Sequence, residues 1–157
     1  LVVRFIVLCV AIIAIGLIKQ RRLAATGIFE IDKMEGIDFE KRLELLFRQL
    51  GYRVERTRAR GDYGADLILA KDGVKTAVQA KRSKKAIGVK AVQEVGAAKN
   101  YYRCTAAMVV TNNVYTKQAQ NPARANDIAL WDRDRLVENL RFAGRSREAA
   151  RVRGEGA

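Results

Sequence analysis

Gly61-Asp62-Tyr63-Gly64-Ala65-Asp66-Leu67-Ile68-Leu69-Ala70-Lys71-Asp72-Gly73-Val74-Lys75-Thr76-Ala77-Val78-Gln79-Ala80-Lys81-Arg82 is the stretch whose reading decides the fold. A Gly/Asp-rich turn over 59–64 opens into two strand-like runs, Ala65 to Ala70 and Val74 to Lys81. Between them stands Asp72-Gly73, the dipeptide that tight two-residue hairpins favour because both central residues take positive φ. Side chains alternate faces along a strand, so Gln79 and Lys81 share one face while Val78 and Ala80 point into the packing. The hairpin lays the Gln79–Lys81 face alongside Asp66.

The flanks extend the pattern in both directions. Upstream, Phe39, Leu43, Leu46, Phe47 and Leu50 recur at helical spacing, with Asp38 expected as N-cap and Gly51 where a helix takes its C′ glycine. Tyr52 to Arg58 reads as a strand. Downstream of a basic loop, Arg82 to Lys85, residues 88–102 read as a helix, and Ala106 to Thr111 is an apolar run suited to a strand buried on both faces after a helical crossover. Residues 115–126 suggest a further helix that Pro122 should bend or shorten. A short strand at Ile128 to Trp131 and a helix at Asp134 to Phe142 complete an α-β-β-β-α-β-α-β-α order. The expectation is an α/β fold, a mixed central sheet flanked by helices, over residues 36–143, with 23–35 as a linker and 144–157 as a flexible basic tail.

The first residues pose a separate question. Phe5 to Ile18 are uncharged and almost wholly apolar, and the run lengthens if Arg4 snorkels. A spanning helix needs about 20 residues, so one N-terminal transmembrane helix is expected over 1–22. Lys19, Arg21 and Arg22 follow directly, and such charge stays on the cytoplasmic side. This predicts a single-pass inner-membrane anchor with the domain in the cytoplasm. A buried core helix and a secretory signal peptide are the alternatives.

Composition narrows the chemistry. At 157 residues one domain is expected, and 30 Lys+Arg against 17 Asp+Glu give a formal charge of +13, which suits a polyanionic partner, nucleic acid or anionic lipid. The absence of histidine excludes imidazole general bases, Ser-His-Asp triads and histidine zinc sites. Cys9 and Cys104 are too far apart in sequence to suggest CxxC chemistry or a disulfide framework.

Acid–base work then falls to carboxylates, lysine or metal-bound water. Mg²⁺ takes hard oxygen ligands, commonly one or two carboxylates with several waters. Asp66 can supply the carboxylate, Gln79 a side-chain carbonyl and Ala80 a backbone carbonyl. Lys81 beside such a metal can orient the attacking water and stabilise charge in the transition state of phosphodiester hydrolysis. Glu40, on the edge of the first helix's apolar face, is a further candidate catalytic residue. Each has a plainer alternative: Asp66 as a turn cap, Gln79 and Lys81 as solvated strand residues, Glu40 as an ordinary helix-surface glutamate. Arg82, Lys84, Lys85 and Lys90, with Arg53, Arg56, Arg58 and Arg60 nearby, can contact phosphates without reading sequence. A solvated basic strand edge is the alternative there.

Phe39-Glu40, Leu50-Gly51-Tyr52, Gly61 to Asp66, Gln79-Ala80-Lys81-Arg82 and Val109-Val110-Thr111-Asn112, in this order, resemble the Mrr-type restriction endonuclease domain, a branch of the PD-(D/E)xK nuclease superfamily. The resemblance covers roughly residues 34–141 and implies a restriction-endonuclease-like fold. It also implies that Asp66 is the metal-binding aspartate and Lys81 the catalytic lysine. Gln79 stands where most of the superfamily has glutamate, and glutamine is the form of the Mrr branch. Pro122 departs from the pattern, away from the site. The implied function is a Mg²⁺- or Mn²⁺-dependent DNA endonuclease, acting on foreign or modified DNA. A homodimer would let one site per chain cut both strands. A non-catalytic DNA-binding module, a junction-resolvase-like nuclease and a peripheral lipid-binding protein are the competing readings.

Overall fold

A computed structural model of the chain describes residues 2–57 and 63–154, with the side chains of 2–5, 8, 16–26 and 151 left aside. Helix α1 (Val2–Lys33) leads into α2 (Gly36–Gln49), followed by strands β1 (Arg53–Arg56), β2 (Leu67–Lys71) and β3 (Val74–Lys81). Then come α3 (Val89–Tyr101), β4 (Ala106–Thr111), α4 (Lys117–Ala125), β5 (Ile128–Trp131) and α5 (Arg133–Val152). The strands form one mixed sheet in the order β1-β2-β3-β4-β5. β1, β2 and β3 pair antiparallel, and β3, β4 and β5 pair parallel.

Local chemistry accounts for the element ends. Asp72 (φ 50) and Gly73 (φ 78) close the β2–β3 hairpin, both in the left-handed region that a two-residue loop of this kind requires. Gly51, at φ 85, ends α2 as the C′ residue: its N–H donates to Arg48 O and the Tyr52 N–H reaches Phe47 O, the paired bonds of a Schellman turn. Asp38 is not the N-cap expected of it. The helix starts earlier, with Glu35 at the cap position, and Asp38 lies within the first turn, 3.3 Å from Lys41. Helix α4 is capped by the Thr116 hydroxyl, which accepts from the Ala119 N–H, and it continues through Pro122 to Ala125.

The sheet separates two cores. On one face Ile68, Ala77, Ala107 and Val109 pack with Val92, Val95 and Ala98 of α3 and with Ala119 and Ala123 of α4. On the other, Val54, Leu67, Leu69, Val78 and Val110 pack with Phe39, Leu43, Leu46 and Phe47 of α2, with Leu136 and Ala143 of α5, and with Ile28 and Ile31 of α1. Phe47 is the centre of an aromatic cluster, edge-on to Tyr52 and tilted against Trp131. Alternation along β2 and β3 is thus read out twice, because both faces are covered.

The expected N-terminal transmembrane helix, and the inner-membrane address that followed from it, are corrected by the structure. Among the described residues no helix is long and apolar enough to cross a membrane. The apolar run is the beginning of a 32-residue helix that passes through the basic flank and ends inside the domain. Its last turns pack there: Ile28 and Ile31 are buried, so the stretch 23–35, read as a linker, is helical through Lys33. Ile6, Val7, Val10, Ile12, Ile13 and Ile15 stay exposed. At the other end α5, which packs against α1, runs on from Phe142 to Val152, where a flexible tail was expected. Arg4, Arg58, Arg60, Gly61 and Asp62, to which roles are assigned above, lie outside the residues or side chains described.

Ile31 tests whether the end of α1 belongs to the core. With 0% of its surface exposed, Ile31→Ala is expected to cost about 2–5 kcal/mol of unfolding free energy, read by urea denaturation at unchanged slope. A loss within about 0.5 kcal/mol, usual for exposed positions, would return the segment to a linker.

Candidate active site

Asp66 closes the turn that enters β2, and the ladder continues through its main chain. Its N–H donates to Val78 O at 2.8 Å, and its carbonyl accepts from the Thr57 N–H at 3.0 Å and from the Thr57 hydroxyl at 3.1 Å. Asp66 is 7% exposed and Gln79 5%, so the carboxylate sits where an anion must be met by donors. Its Oδ2 accepts two hydrogen bonds of 2.6 Å, one from Gln79 Nε2 and one from the Ala80 N–H. Gln79 is therefore no solvated strand residue: its amide bridges β3 to the aspartate just before β2.

The face assignment follows from the register. Leu67 opposes Val78 on the α2 side and Ile68 opposes Ala77 on the α3 side; Gln79 and Lys81 therefore look toward α3. Lys81 Nζ lies 2.8 Å from Glu94 Oε2 on α3, and Lys90 Nζ lies 3.9 Å from the other Glu94 oxygen. Glu94 carried no expectation from the sequence. Glu40 did, but it lies on α2, across the sheet. Its carboxylate accepts from Arg56 at 3.3 Å, and Arg56 also lies 3.9 Å from Glu44. The structure thus brings Asp66, Gln79 and Lys81 together and leaves Glu40 with Arg56 on the opposite face.

Gly64 ties the turn before Asp66 to α3. Its φ is 88°, and a Cβ built there would meet the Glu94 carbonyl oxygen at 2.5 Å, so both conformation and contact demand glycine. The neighbouring Tyr63 stacks on Tyr101 with ring centroids 4.0 Å apart.

The loop after Lys81 is fixed from β4. Thr111 Oγ1 donates to Lys81 O at 2.6 Å, the Ser83 N–H donates to Asn112 Oδ1 at 2.8 Å, and Asn113 Nδ2 donates to Ser83 O at 3.3 Å. Asn112 in turn donates to Asp32 Oδ1 at 2.8 Å. Arg133 grips Asp32 with two parallel bonds of 2.8 Å and reaches Asn112 O at 3.0 Å. A chain of hydrogen bonds so connects α1, α5 and β4 to the segment carrying Lys81. The sequence offered no sign of Asp32 or Arg133, since a contact across 101 positions leaves no periodicity. Lys84, Lys85 and Lys90 are exposed, as phosphate contacts need to be, whereas Arg82 is half-buried. Its charge is felt by Asp32, and among the described residues its buried Nε has no hydrogen-bond partner. The cysteines are free, and burial pushes the Cys104 thiol up, with Lys75 opposing.

Comparison with known proteins agrees with this fold. Residues 31–140 match the family model Mrr_cat, restriction endonuclease. Among solved structures, the chain is similar to the DNA modification-dependent restriction endonuclease AspBHI, with 24% identity, TM-score 0.57, and coverage of 77% of this chain and 36% of that one. It is likewise similar to the MspJI restriction endonuclease solved with a 27-mer oligonucleotide, with 20% identity, TM-score 0.54, and coverage of 78% and 31%. A protein of unknown function gives 16% identity, TM-score 0.52, and coverage of 59% and 55%. The chain thus spans about a third of the two endonucleases and about half of the third protein. No curated protein matches in sequence.

The clamp at Asp32 has a pH signature. Arg133 hydrogen bonding holds the Asp32 carboxyl below its ordinary value of 3.8 against an opposing push from burial, aided by Asn112 and by the charges of Arg133 and Arg82. A carboxyl depressed in the folded state contributes stability that is complete above its unfolded pKa and lost as pH falls through the folded one. Asp32→Asn is therefore expected to unfold more easily than wild type at neutral pH, with the gap closing as pH falls below 3.8. Urea denaturation across that acid range is the measurement, and a constant gap would assign the loss to packing instead of charge.

Proposed function

Because this chain belongs to the Mrr_cat restriction endonuclease family, whose model spans residues 31–140, we propose that it is a divalent-metal-dependent DNA endonuclease with Asp66, Gln79 and Lys81 as its site. The observation that carries the reading is the grip of Gln79 and Ala80 on the Asp66 carboxylate, on the sheet face from which Lys81 also projects. Restriction of foreign or modified DNA is the proposed setting. DNA as the substrate class is supported by the family and by the +13 charge. A symmetric pair of chains would cut both strands.

The donor set fits a hard cation. Among the described residues no group of three or more His, Cys, Asp or Glu is gathered, so a cage made wholly of protein carboxylates is not what this site offers. One buried carboxylate with an amide carbonyl and a main-chain carbonyl suits Mg²⁺ or Mn²⁺, which keeps much of its water shell. Asp66 and Gln79 would hold it. When bound, the cation supplies neutralisation of phosphate charge and a more acidic water. The chain's own part is positional. Gln79 Nε2 and the Ala80 N–H fix the Asp66 carboxylate, and the Lys81 ammonium offers its protons to the phosphate oxygens as charge builds on them. Lys84, Lys85 and Lys90 hold the flanking backbone. Glu40, paired with Arg56, has no part in this scheme.

Plasmid cleavage by the full chain with and without Mg²⁺ tests the reading. Lys81→Ala is expected to lose most of its cleavage, down to a slow residual rate, while largely keeping DNA affinity, the mark of an interaction made on the way to products. Asp66→Ala should lose both Mg²⁺ binding and cleavage, and Gln79→Glu should tighten Mg²⁺ by adding a carboxylate ligand. Wild type that binds DNA but cuts none of its plasmid, methylated or branched forms would make the chain a DNA-binding module. Lys81→Ala that cuts like wild type would relocate the site.

Salt dependence tests the basic loop separately. Log K falls with log salt at about −0.9 per phosphate neutralised, so Lys84→Ala with Lys85→Ala should flatten the slope by up to roughly 2 on unrelated sequences alike. An unchanged slope would leave these lysines as solvated surface.

A further inference from the structure

Glu94 sits on α3, and one turn of that helix touches two parts of the site. Its side chain reaches Lys81, with Oε2 2.8 Å from Nζ. Its backbone carbonyl lies against Gly64, so closely that a Cβ there would stand 2.5 Å away. The turn that delivers Asp66 and the lysine that follows Gln79 are therefore braced from the same place.

The pair differs from the surface bridges of the molecule. Lys81 and Glu94 side chains are 34% and 29% exposed, against 56% and 55% for Lys41 and Asp38. Exposed pairs contribute little, since they trade Coulomb attraction for side-chain entropy in full solvent. Here the carboxylate oxygen facing Lys81 is itself buried, with no aligned hydrogen bond from any described donor. Charge and proximity hold it to Lys81. Lys90, one helical turn earlier and 87% exposed, approaches only the other oxygen, at 3.9 Å.

We propose that Glu94 is the positioning residue for Lys81 in phosphodiester cleavage. This rests on the nuclease reading given above. Lysine carries a point charge on a flexible four-carbon stem, and unheld it samples many rotamers in the open end of the sheet. An ammonium that must meet charge developing on a phosphate gains from being aimed beforehand, because misplacement by about 1 Å can cost on the order of 100-fold in rate. The geometry also explains the side from which the partner comes. Lys81 projects toward α3, so α3 supplies the carboxylate, and the α2 glutamate at position 40 pairs with Arg56 across the sheet. Glu94 is not a catalytic residue in this account: it acts through Lys81.

A double-mutant cycle on plasmid cleavage by the full chain, with kcat, KM and DNA affinity measured for each variant, is the test. Glu94→Gln is expected to lower kcat by roughly 10-fold or more, with KM and affinity changed by less than about twofold. Glu94→Asp, which keeps the charge on a shorter stem, should recover part of kcat. Glu94→Gln added to Lys81→Ala should cost nothing further, since the residue it positions is gone. Should Glu94→Gln fail to fold by circular dichroism, Glu94→Asp runs the same cycle, with its own loss of kcat expected to vanish on the Lys81→Ala background. Wild-type kcat in every folded Glu94 variant, a loss confined to KM or affinity, or losses that multiply in the double mutant would each overturn the positioning role while leaving the nuclease intact. A wild type that cuts no DNA overturns the nuclease reading itself, and this role with it.

Discussion

Everything near the Asp66 end of the sheet depends on one buried carboxylate being met by donors. Asp66 is almost wholly removed from solvent, and an anion in that position is tolerated only where hydrogen bonds replace its water. The two short bonds to Oδ2 come from neighbouring residues of β3, one from the Gln79 side chain and one from the Ala80 main chain. Both exist only in the observed register, with Leu67 opposite Val78. A slip of one residue would turn Gln79 and Lys81 to the α2 side and put Val78 and Ala80 in their place. The Asp72-Gly73 turn, which fixes that register from the far end of the hairpin, is thus part of the site though it touches none of it.

The second constraint ties distant parts of the chain to the same end of the sheet. Asp32 lies near the end of α1 and Arg133 at the start of α5, and both meet Asn112 just past β4. From Asn112 the bonds run to Ser83, and from Thr111 to the carbonyl of Lys81 itself. The loop that bears Lys84 and Lys85 is consequently anchored by its first residues, while its lysines remain exposed. Charged side chains in a rigid frame lose less entropy on binding than the same charges on a mobile loop. The end of α1 belongs to this frame, and the match to the restriction endonuclease family begins at residue 31, inside the helix.

The sequence made the sheet legible because its signals there are local. Alternation with period two, an Asp-Gly turn and an apolar crossover strand each act over fewer than about ten residues. The same locality limited what was visible elsewhere. The apolar stretch ending at Ile18 carried a strong compositional signal, yet nothing in it says that the helix continues through Lys19, Arg21 and Arg22 into a buried Ile28 and Ile31. Asp38 looked like a cap because acidic residues favour both the cap and the first turn, and only the structure separates the two. Asp32 and Arg133 were silent for a further reason: a bidentate pair between residues so far apart is a property of the assembled fold.

Glu40 and Glu94 mark the boundary between what pattern can and cannot give. Both are helix glutamates near lysines, and nothing in composition distinguishes them. The parity of β3 does. Val78 packs against α2, so residue 81, of opposite parity, must project to the α3 side, and a carboxylate that reaches it must come from α3. On α3, Lys90 and Glu94 are separated by one helical turn, which turns the glutamate and the exposed lysine to the same side. The glycine at position 64 adds the third condition, since only a residue without Cβ lets the Asp66 turn lie against the Glu94 carbonyl. Strand parity, helix spacing and one bare glycine thus select Glu94 over Glu40, and each of the three is a property of the sequence once the layers are known.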